Sequence, residues 1–304
     1  MKTERLDVRT ASGQRVAVWR SAPEEITNQT PVVVLSAGFA RRMRDVSGMA
    51  LCLARNHALV YRFDSVNHLG LSDGEIADFS LGGLYESLAA VVELARSTEG
   101  RSNVKVVTLS LSLIAALRLA AGDGGIDGIT AISGVVDGRA TLNRVIGQNY
   151  VDVSREELPS RVEVLGHSVD PFGIWQDNQA SGILSIDTTV GHLNSVRSPV
   201  ANFVASEDPW VDIDECQAAF TAGAAGPRTV VRLPYSGHDL GRNPVATTTI
   251  LERMTQIVLR SGDPTQSAKP IMPLFNEFLE VRVAERRREQ DERNAFAGQR
   301  ERAS

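Results

Sequence analysis

Cysteine is scarce in this sequence, which holds only Cys52 and Cys216 among its 304 residues. One pair cannot form a framework of several disulfide bridges. Cys52 lies between Leu51 and Leu53, a pattern typical of a small buried hydrophobe rather than of a nucleophile. No histidine, cysteine and carboxylate residues share the spacing of metal ligands, so we predict no metal and no other cofactor. These features indicate a reduced protein of the cytoplasm.

Long apolar runs and an excess of positive charge are also lacking. The formal net charge is −5, with 42% hydrophobic and 23% charged residues. Nucleic-acid-binding proteins usually carry a basic excess that neutralises phosphates, so this balance argues against that class. No apolar run is long enough to span a bilayer, and the first residues contain no apolar stretch of the signal-peptide type. We therefore expect neither a membrane span nor a signal peptide.

The chain does contain short β-branched runs that alternate with helical patterns. The apolar runs predict strands at 32–35, 58–63, 104–109, 129–132, 200–204 and 229–233. Helical spacing of apolar residues predicts helices over 46–53, 84–96 and 113–121. Such alternation implies parallel strands joined by right-handed crossovers. The sequence therefore predicts an α/β protein with a mostly parallel, doubly wound sheet.

Two further segments interrupt or follow this series. Residues 137–192 are more polar and irregular, and we predict that they form a cap inserted over the carboxyl ends of the strands, where open α/β sheets bind ligands. The core is then formed by residues 1–136 and 193–262. Residues 263–304 mix acidic and basic side chains, which predicts a charged tail, either a solvated helix or a partly disordered end.

A serine motif lies between the strand at 104–109 and the next helix. In α/β-hydrolases the nucleophilic serine occupies a sharp strand-to-helix turn, and small residues two before and two after it let strand and helix approach closely. Ser110 stands at this junction with Ser112 after it, although Thr108 before it is bulkier than the pattern prefers. The motif predicts either a catalytic Ser110, with Ser112 as the second candidate, or a serine that only caps the helix.

An aspartate and a histidine follow Ser110 in the order that α/β-hydrolases use, Ser, then Asp, then His. Asp208 follows the strand at 200–204, and His238 follows the strand at 229–233. An imidazole removes the serine proton, and a buried carboxylate fixes the imidazole tautomer. Taken singly, Asp208 before a proline is also a turn former, and His238 is also a surface loop residue. Their joint order favours a Ser110–His238–Asp208 triad.

The tetrahedral intermediate of such a reaction needs two backbone N–H donors, together called the oxyanion hole. The residue after the nucleophile, Leu111, supplies one. The loop after the strand at 32–35 supplies the other, with Phe39 as the first choice and Ala40 as the second. The same loop is also consistent with an ordinary strand-to-helix turn that has Gly38 at positive φ.

Two segments identify a more specific likeness. They read GFARRM at 38–43 and RFDSVNHLGLSDG at 62–74, and the second contains the D-x-x-x-x-G-x-S-x-G loop common after the fourth strand of α/β-hydrolases. Together with residues 109–112, 208–211 and 237–240, they resemble the bacterial bioluminescence acyl transferase family. These α/β-hydrolases are thioesterases of acyl carrier proteins, of the LuxD or myristoyl-acyl-carrier-protein type. The resemblance covers most of the chain and is sparse in the predicted cap.

The resemblance implies a function for the residues already singled out. The serine, aspartate and histidine of the family match Ser110, Asp208 and His238. The implied substrate is a fatty-acyl thioester on an acyl carrier protein, with an acyl-serine intermediate and release to water or another acceptor. Two alternatives stay open, a carboxylesterase or lactone hydrolase of the same fold, and a non-catalytic ligand-binding α/β-hydrolase, which Thr108 favours.

Two groups of residues outside the triad have two interpretations each. Arg41 and Arg42 begin a helical segment, where cations oppose the helix dipole. They either contact an anion, such as the phosphate of a carrier arm or an acidic carrier protein, or they pair with Asp45 and solvent. The large apolar residues of the predicted cap line an acyl pocket or form the cap's own core; they include Tyr150, Phe172 and Trp175.

Overall fold

A computed structural model of the protein describes residues 1–122, 124–259 and 269–303. Its strands are β1 (Lys2–Arg9), β2 (Arg15–Ala22), β3 (Val32–Ser36), β4 (Leu59–Phe63), β5 (Val104–Leu109), β6 (Ile126–Ile132), β7 (Val162–Val164), β8 (His167–Val169), β9 (Val200–Ala205) and β10 (Arg228–Leu233). Its helices are α1 (Ser47–Arg55), α2 (Leu81–Glu99), α3 (Ser112–Ala121), α4 (Gly138–Ile146), α5 (Phe172–Ser181), α6 (Ile186–Ser195), α7 (Ile213–Ala222), α8 (Pro244–Leu259) and α9 (Phe275–Ala303). Short 3-10 helices occur at Met43–Val46, Ile76–Asp78, Arg155–Glu157 and Leu240–Arg242.

Eight strands form one sheet in the order β1-β2-β4-β3-β5-β6-β9-β10. The pairs β1–β2 and β2–β4 are antiparallel. The other strands of this sheet are parallel to one another and follow in the order β4, β3, β5, β6, β9 and β10. The predicted fold class, a mostly parallel sheet of an α/β protein, is therefore confirmed. The parallel part places the loops after β3, β5, β9 and β10 at one edge of the sheet, where ligands bind in such folds.

The strands β3, β4 and β9 are buried on both faces because they are mostly apolar. Val33 and Leu35 of β3 pack on one face, against residues of α1 and α8. Val32 and Val34 of the same strand pack on the other face, against residues of α2 and α3. Successive side chains of a strand point to opposite faces, so four apolar residues in a row serve two cores.

The first two strands were not predicted. β1 and β2 form an antiparallel hairpin of eight paired positions, from Lys2 with Ala22 to Arg9 with Arg15. β1 alternates exposed and half-buried residues and carries five charged side chains, because it is an edge strand with one face in water. The hairpin continues the sheet beyond β4 with antiparallel pairing.

The segment between β6 and β9 contains α4, the two-stranded β7–β8 hairpin, α5 and α6. α6 packs against α3 and α7, which are helices of the layer beside the sheet. The predicted cap boundary at residue 192 falls inside α6. α6 thus packs as the helices beside the sheet do, and the boundary between core and cap stays a prediction.

The charged C-terminal segment forms α9, while the predicted boundary at 262/263 lies outside the described residues. The sequence predicts a solvated helix or a disordered end, but Glu285 and Glu289 are buried, with 4% and 2% of their surfaces exposed. Both lie one turn apart on a face that packs against the protein. α9 is thus a packed element with a charged, partly buried face.

Within the described ranges, no helix combines the length and the apolar character that crossing a membrane requires.

Candidate active site

Ser110 occupies a strained turn between β5 and α3. Its φ is +53°, a left-handed conformation that non-glycine residues adopt rarely. Its amide donates to the carbonyl of Ile132 at 3.0 Å, and its carbonyl accepts from the amides of Leu113 and Val135, each at 3.2 Å. These backbone bonds hold the strained turn in place. The geometry is that of a nucleophile elbow, with the side chain presented at the end of the strand.

The residues around Ser110 explain how this turn forms with Thr108 in the sequence. Thr108 is fully buried in β5, and its hydroxyl has no hydrogen-bond partner in the described part of the chain. The buried Ser112 hydroxyl donates to the carbonyl of Ala37 at 2.7 Å. Ser112 therefore ties α3 to the loop after β3, and its hydroxyl is engaged. Ser110 is the better placed of the two candidate nucleophiles.

Asp208 and His238 form a close pair. The Nδ1 atom of His238 lies 2.7 Å from the Oδ2 atom of Asp208, whose side chain is fully buried. The other carboxylate oxygen accepts from the amides of Trp210 at 3.0 Å and Val211 at 3.1 Å. Burial acts to raise the pKa of Asp208, but these hydrogen bonds, with that of His238 foremost, hold it below its usual value. The carboxylate is thus charged and fixed in orientation.

The His238 ring is supported on a second side. The Trp210 ring packs against it with centroids 4.5 Å apart. With Asp208 on Nδ1, the Nε2 atom is left to face other groups, as the base of a triad requires. The structure therefore brings together two of the three predicted catalytic residues by direct contact.

The loop after β3 contacts both the turn at Ser110 and Asp239, the residue that follows His238. A Cβ atom placed on Gly38, in the loop after β3, comes within 3.2 Å of the Ser110 Cβ atom. Arg41, three residues further along that loop, lies 3.8 Å from the carboxylate of Asp239, the neighbour of His238. Within the described residues no hydrogen bond joins the Ser110 hydroxyl to His238. Such bonds often tighten only when substrate is bound.

The two predicted oxyanion donors are backbone amides that make no hydrogen bond within the described part of the chain. The amides of Phe39 and Leu111 donate to no group within residues 1–122, 124–259 and 269–303. The amide of Ala40, the second choice in the loop, is already bonded to His68 at 3.0 Å. The positive φ of this loop belongs to Ala40, at +59°, and the prediction of a positive φ for Gly38 is wrong. Gly38 serves close approach instead, because a side chain there meets Leu109 and Ser110.

His68 is a site residue that sequence reasoning missed. It lies in the turn-forming loop at 64–74, which indicated only the fold. The side chain is buried, with 8% of its surface exposed, and it contacts the loop that carries Phe39. Burial lowers the pKa of His68 to about 4; the Leu69 backbone opposes this change and His167 adds to it. No residue spacing in the sequence predicts that His68 contacts the loop after β3.

The two arginines after Phe39 differ in their surroundings. The Arg42 guanidinium lies 3.3 Å from the buried carboxylate of Glu289 on α9, so its charge has a partner that the sequence did not predict. Its backbone amide donates to Asp45 at 2.8 Å. The Arg41 side chain is 54% exposed, and among the described residues its one ion pair is the loose contact with Asp239. Arg41 is therefore the more accessible cation.

The apolar residues of the predicted cap enclose a small cavity. Tyr150 and Trp175 line it, and Phe172 stacks on Trp175 with ring centroids 5.9 Å apart. The cavity has a volume of about 30 Å³, which is room for roughly one water molecule. Neither Ser110 nor His238 lines it. The structure thus favours the interpretation that these residues form the cap's own core.

Across the described ranges, no group of three or more His, Cys, Asp or Glu side chains is placed to hold a metal ion. Cys52 and Cys216 are buried, and burial raises the pKa of both thiols. Neither has the character of a nucleophile.

Comparison with known sequences shows similarity to acyl transferases over most of the chain. The model of the acyl transferase family matches residues 5–294. An acyl transferase of Photorhabdus luminescens is 30% identical over 277 residues, which cover 90% of each chain. An acyl transferase of Vibrio harveyi is 29% identical over 283 residues, or 92% of each chain. The similarity therefore spans the core, the predicted cap and most of α9.

Comparison with solved structures concerns the fold alone. The esterase domain of a Rhodothermus marinus protein superposes with a TM-score of 0.63, at 16% identity, over 86% of this chain and 99% of that domain. The esterase Est1E of Butyrivibrio proteoclasticus, solved with ferulic acid, gives a TM-score of 0.64 at 16% identity, over 83% of this chain and 96% of that one. Both support the α/β-hydrolase architecture.

Proposed function

Because this chain belongs to the acyl transferase family, we propose that it is a serine thioesterase or acyltransferase acting on acyl carrier protein. It releases or transfers a fatty-acyl group through an acyl-serine intermediate. The family makes the chain an enzyme of acyl transfer or hydrolysis. The observation that carries the finer proposal is the 2.7 Å contact of His238 with the buried Asp208 carboxylate, at the sheet edge that also holds the strained Ser110.

The first half of the proposed reaction forms the acyl-enzyme. The Ser110 Oγ atom attacks the thioester carbonyl carbon, and the hydroxyl proton passes to Nε2 of His238. Asp208 stabilises the imidazolium that results. The amides of Phe39 and Leu111 donate to the developing oxyanion. The carbon–sulfur bond then breaks and the carrier leaves as a thiolate, which needs little acid assistance because a thiol has a pKa of only about 8.5. The thiolate or solvent then takes the proton from the His238 imidazolium, which returns the ring to its neutral form for the second half of the reaction.

The second half of the proposed reaction releases the acyl group. Water, or the hydroxyl of another acceptor, gives its proton to His238 and attacks the acyl-Ser110 carbonyl. The bond from Ser110 to the acyl group breaks, and His238 returns a proton to the serine oxygen. The products are a fatty acid or an acylated acceptor, together with free enzyme.

The carrier protein is proposed to approach from the side of Arg41. This side chain is exposed and stands three residues after Gly38, beside the mouth of the site. A phosphopantetheine arm carries a phosphate, and an exposed guanidinium binds phosphate through two parallel N–H donors. Arg42 contributes less, since Glu289 already neutralises it.

Intact-mass spectrometry after exposure to acyl carriers of graded chain length tests the proposal. The wild-type enzyme is expected to gain the mass of one acyl group, and the Ser110→Ala variant is expected to gain none. A Ser110→Ala variant that still becomes acylated shifts the assignment to Ser112. Collected products then distinguish hydrolysis from transfer to an acceptor.

Two comparisons separate the proposal from its alternatives. Faster reaction with short esters than with acyl carriers, at equal concentration, indicates a carboxylesterase or lactone hydrolase instead. Failure of Ser110 to react with a fluorophosphonate probe indicates a non-catalytic protein. The positive φ of Ser110 is the feature that speaks against this second alternative.

A further inference from the structure

A buried histidine supports the loop that carries the proposed oxyanion donor. The Nε2 atom of His68 accepts a hydrogen bond from the amide of Ala40, with 3.0 Å between the nitrogen atoms. Ala40 directly follows Phe39 and has a φ of +59°. An amide bonded to His68 is not available to a substrate. The bond therefore removes the second candidate donor, Ala40, and leaves the first candidate, the amide of Phe39, which donates to no group among the described residues.

The Phe39 side chain is held by the same surroundings. Its ring lies edge-on to His68 at 5.7 Å, to Phe79 at 4.9 Å and to His167 at 6.3 Å between centroids. Phe79 and His68 also pack on each other at 5.6 Å. His68 thus contacts both the backbone after Phe39 and the ring of Phe39. Rotation of the peptide unit before Ala40 breaks the first contact and disturbs the second.

The hydrogen bond requires one protonation state of the imidazole. Nε2 accepts a hydrogen bond only when it carries a lone pair. In a doubly protonated His68 this atom carries a proton instead, and it repels the Ala40 amide. Burial favours the neutral ring at His68, as its lowered pKa indicates. At neutral pH the His68 ring is therefore uncharged, and its Nε2 atom is available to accept this hydrogen bond.

We infer that His68 is a positioning residue of the oxyanion hole, which holds Ala40 so that the Phe39 amide points toward the oxygen of the intermediate at Ser110. This role rests on the proposed function of Ser110. His68 touches neither the substrate nor the reacting atoms, and it acts only through the loop. Its loss is therefore expected to lower the rate of acylation and to leave substrate binding nearly unchanged.

Two variants separate the acceptor of His68 from its packing. His68→Phe keeps a planar ring against Phe39 and Phe79 but removes the acceptor. His68→Gln loses the ring but keeps an oxygen acceptor near the position of Nε2. Both variants are assayed in single-turnover acylation by a chromogenic acyl thioester. H68F is expected to lower the acylation rate constant by about 10- to 100-fold, because loss or misplacement of one oxyanion donor costs about that much or more. The substrate concentration at half-saturation is expected to stay within about twofold. H68Q is expected to recover most of the rate.

The control is His57→Gln, which removes an exposed histidine at the opposite edge of the sheet. It is expected to react like the wild-type enzyme. A higher rate for H68F than for H68Q means that packing is the role of His68 and overturns the inference. If acyl-Ser110 still forms, equal acylation rates for H68F and the wild-type enzyme also overturn the inference. A wild-type enzyme that forms no acyl-Ser110 overturns the proposed function, and this inference with it.

A measurement on the wild-type chain keeps the inference testable if H68F does not fold. Nuclear magnetic resonance of the ¹⁵N-labelled protein reports the protonation of Nε2 and the coupling across the hydrogen bond from the Ala40 amide. An unprotonated Nε2 coupled to this amide is expected at pH 7. A protonated Nε2, or an Ala40 amide without coupling to it, overturns the inference whatever the enzyme's activity.

Discussion

Arg62 of β4 and Glu285 of α9 form a buried ion pair with two hydrogen bonds, of 2.9 and 2.7 Å, across 223 residues of sequence. The side chains are 0% and 5% exposed. The planar guanidinium matches the carboxylate with two parallel donors, which is the strongest form of such a pair. The pair attaches the last helix to the centre of the sheet, so α9 is part of the fold.

Replacing Glu285 by Gln is expected to lower the free energy of unfolding by about 3–5 kcal/mol. The change leaves the Arg62 charge buried without its partner, and that is far more costly than the loss of a surface pair. Denaturation by urea, followed by circular dichroism, measures the change. Glu280→Gln on the exposed side of the same helix is the control, with an expected effect within about 0.5 kcal/mol. Similar values for the two variants contradict a structural role for the pair.

Asp208→Asn is expected to lower kcat by about 10³- to 10⁴-fold with little change in KM. An amide in place of the carboxylate selects the wrong tautomer of His238 and no longer stabilises the imidazolium. Single-turnover acylation measures this effect. Asp239→Asn removes a half-exposed carboxylate next to His238 in sequence, with contacts only to Arg41 and Arg242 among the described residues. It is expected to change the rate less than about threefold, and an equal loss in both variants argues against the triad.

The stability of the wild-type chain and of H68F is expected to depend differently on pH. Burial lowers the pKa of His68 from 6.5 to about 4. Between these values the unfolded chain binds a proton that the folded chain does not, so the folded wild-type protein loses stability as the pH falls from 6.5 to 4. H68F lacks this loss. Its stability relative to the wild-type chain is expected to rise by up to about 3 kcal/mol between pH 7 and pH 4, at about 1.4 kcal/mol per pKa unit.

Urea unfolding of both chains at several pH values measures this difference. Burial raises the pKa of Asp64 to about 7, an effect opposite in sign, because the folded chain then binds the extra proton. Both chains keep Asp64, and its contribution cancels in the comparison. A difference in stability that stays constant from pH 7 to pH 4 means that folding does not lower the pKa of His68.

The parallel part of the fold followed from sequence because its signals are local. The run at 104–109 is β5 residue for residue, and its apolar residues Val104, Val106 and Val107 are buried in the sheet. The loops that hold Ser110, Asp208 and His238 follow strands in the order typical of the fold, and this order gave the candidate triad. β1 escaped prediction because half of its residues face water and only its pairing with β2 identifies it as a strand.

The surroundings of the site could not be predicted, because they depend on contacts between distant segments. The bond between His68 and Ala40 joins two loops, and neither loop contains a signal of the other. The partner of Arg42 lies 247 residues further along the chain, on a helix that reads as a solvated charged segment. The positive φ at Ala40 rather than at Gly38 likewise follows from packing, since Gly38 is pressed against the turn at Ser110.

The contact of Glu289 with Arg42 and Arg44 has a consequence for the biogenesis of the enzyme. The two guanidinium groups lie 3.3 and 2.7 Å from a carboxylate that is almost completely buried. A ribosome makes both arginines early, but it adds Glu289 only 247 residues after Arg42. Until then, the segment after Phe39 carries two cations that lack this counter-charge. A nascent chain therefore cannot complete the surroundings of the loop after β3 until α9 has been synthesised.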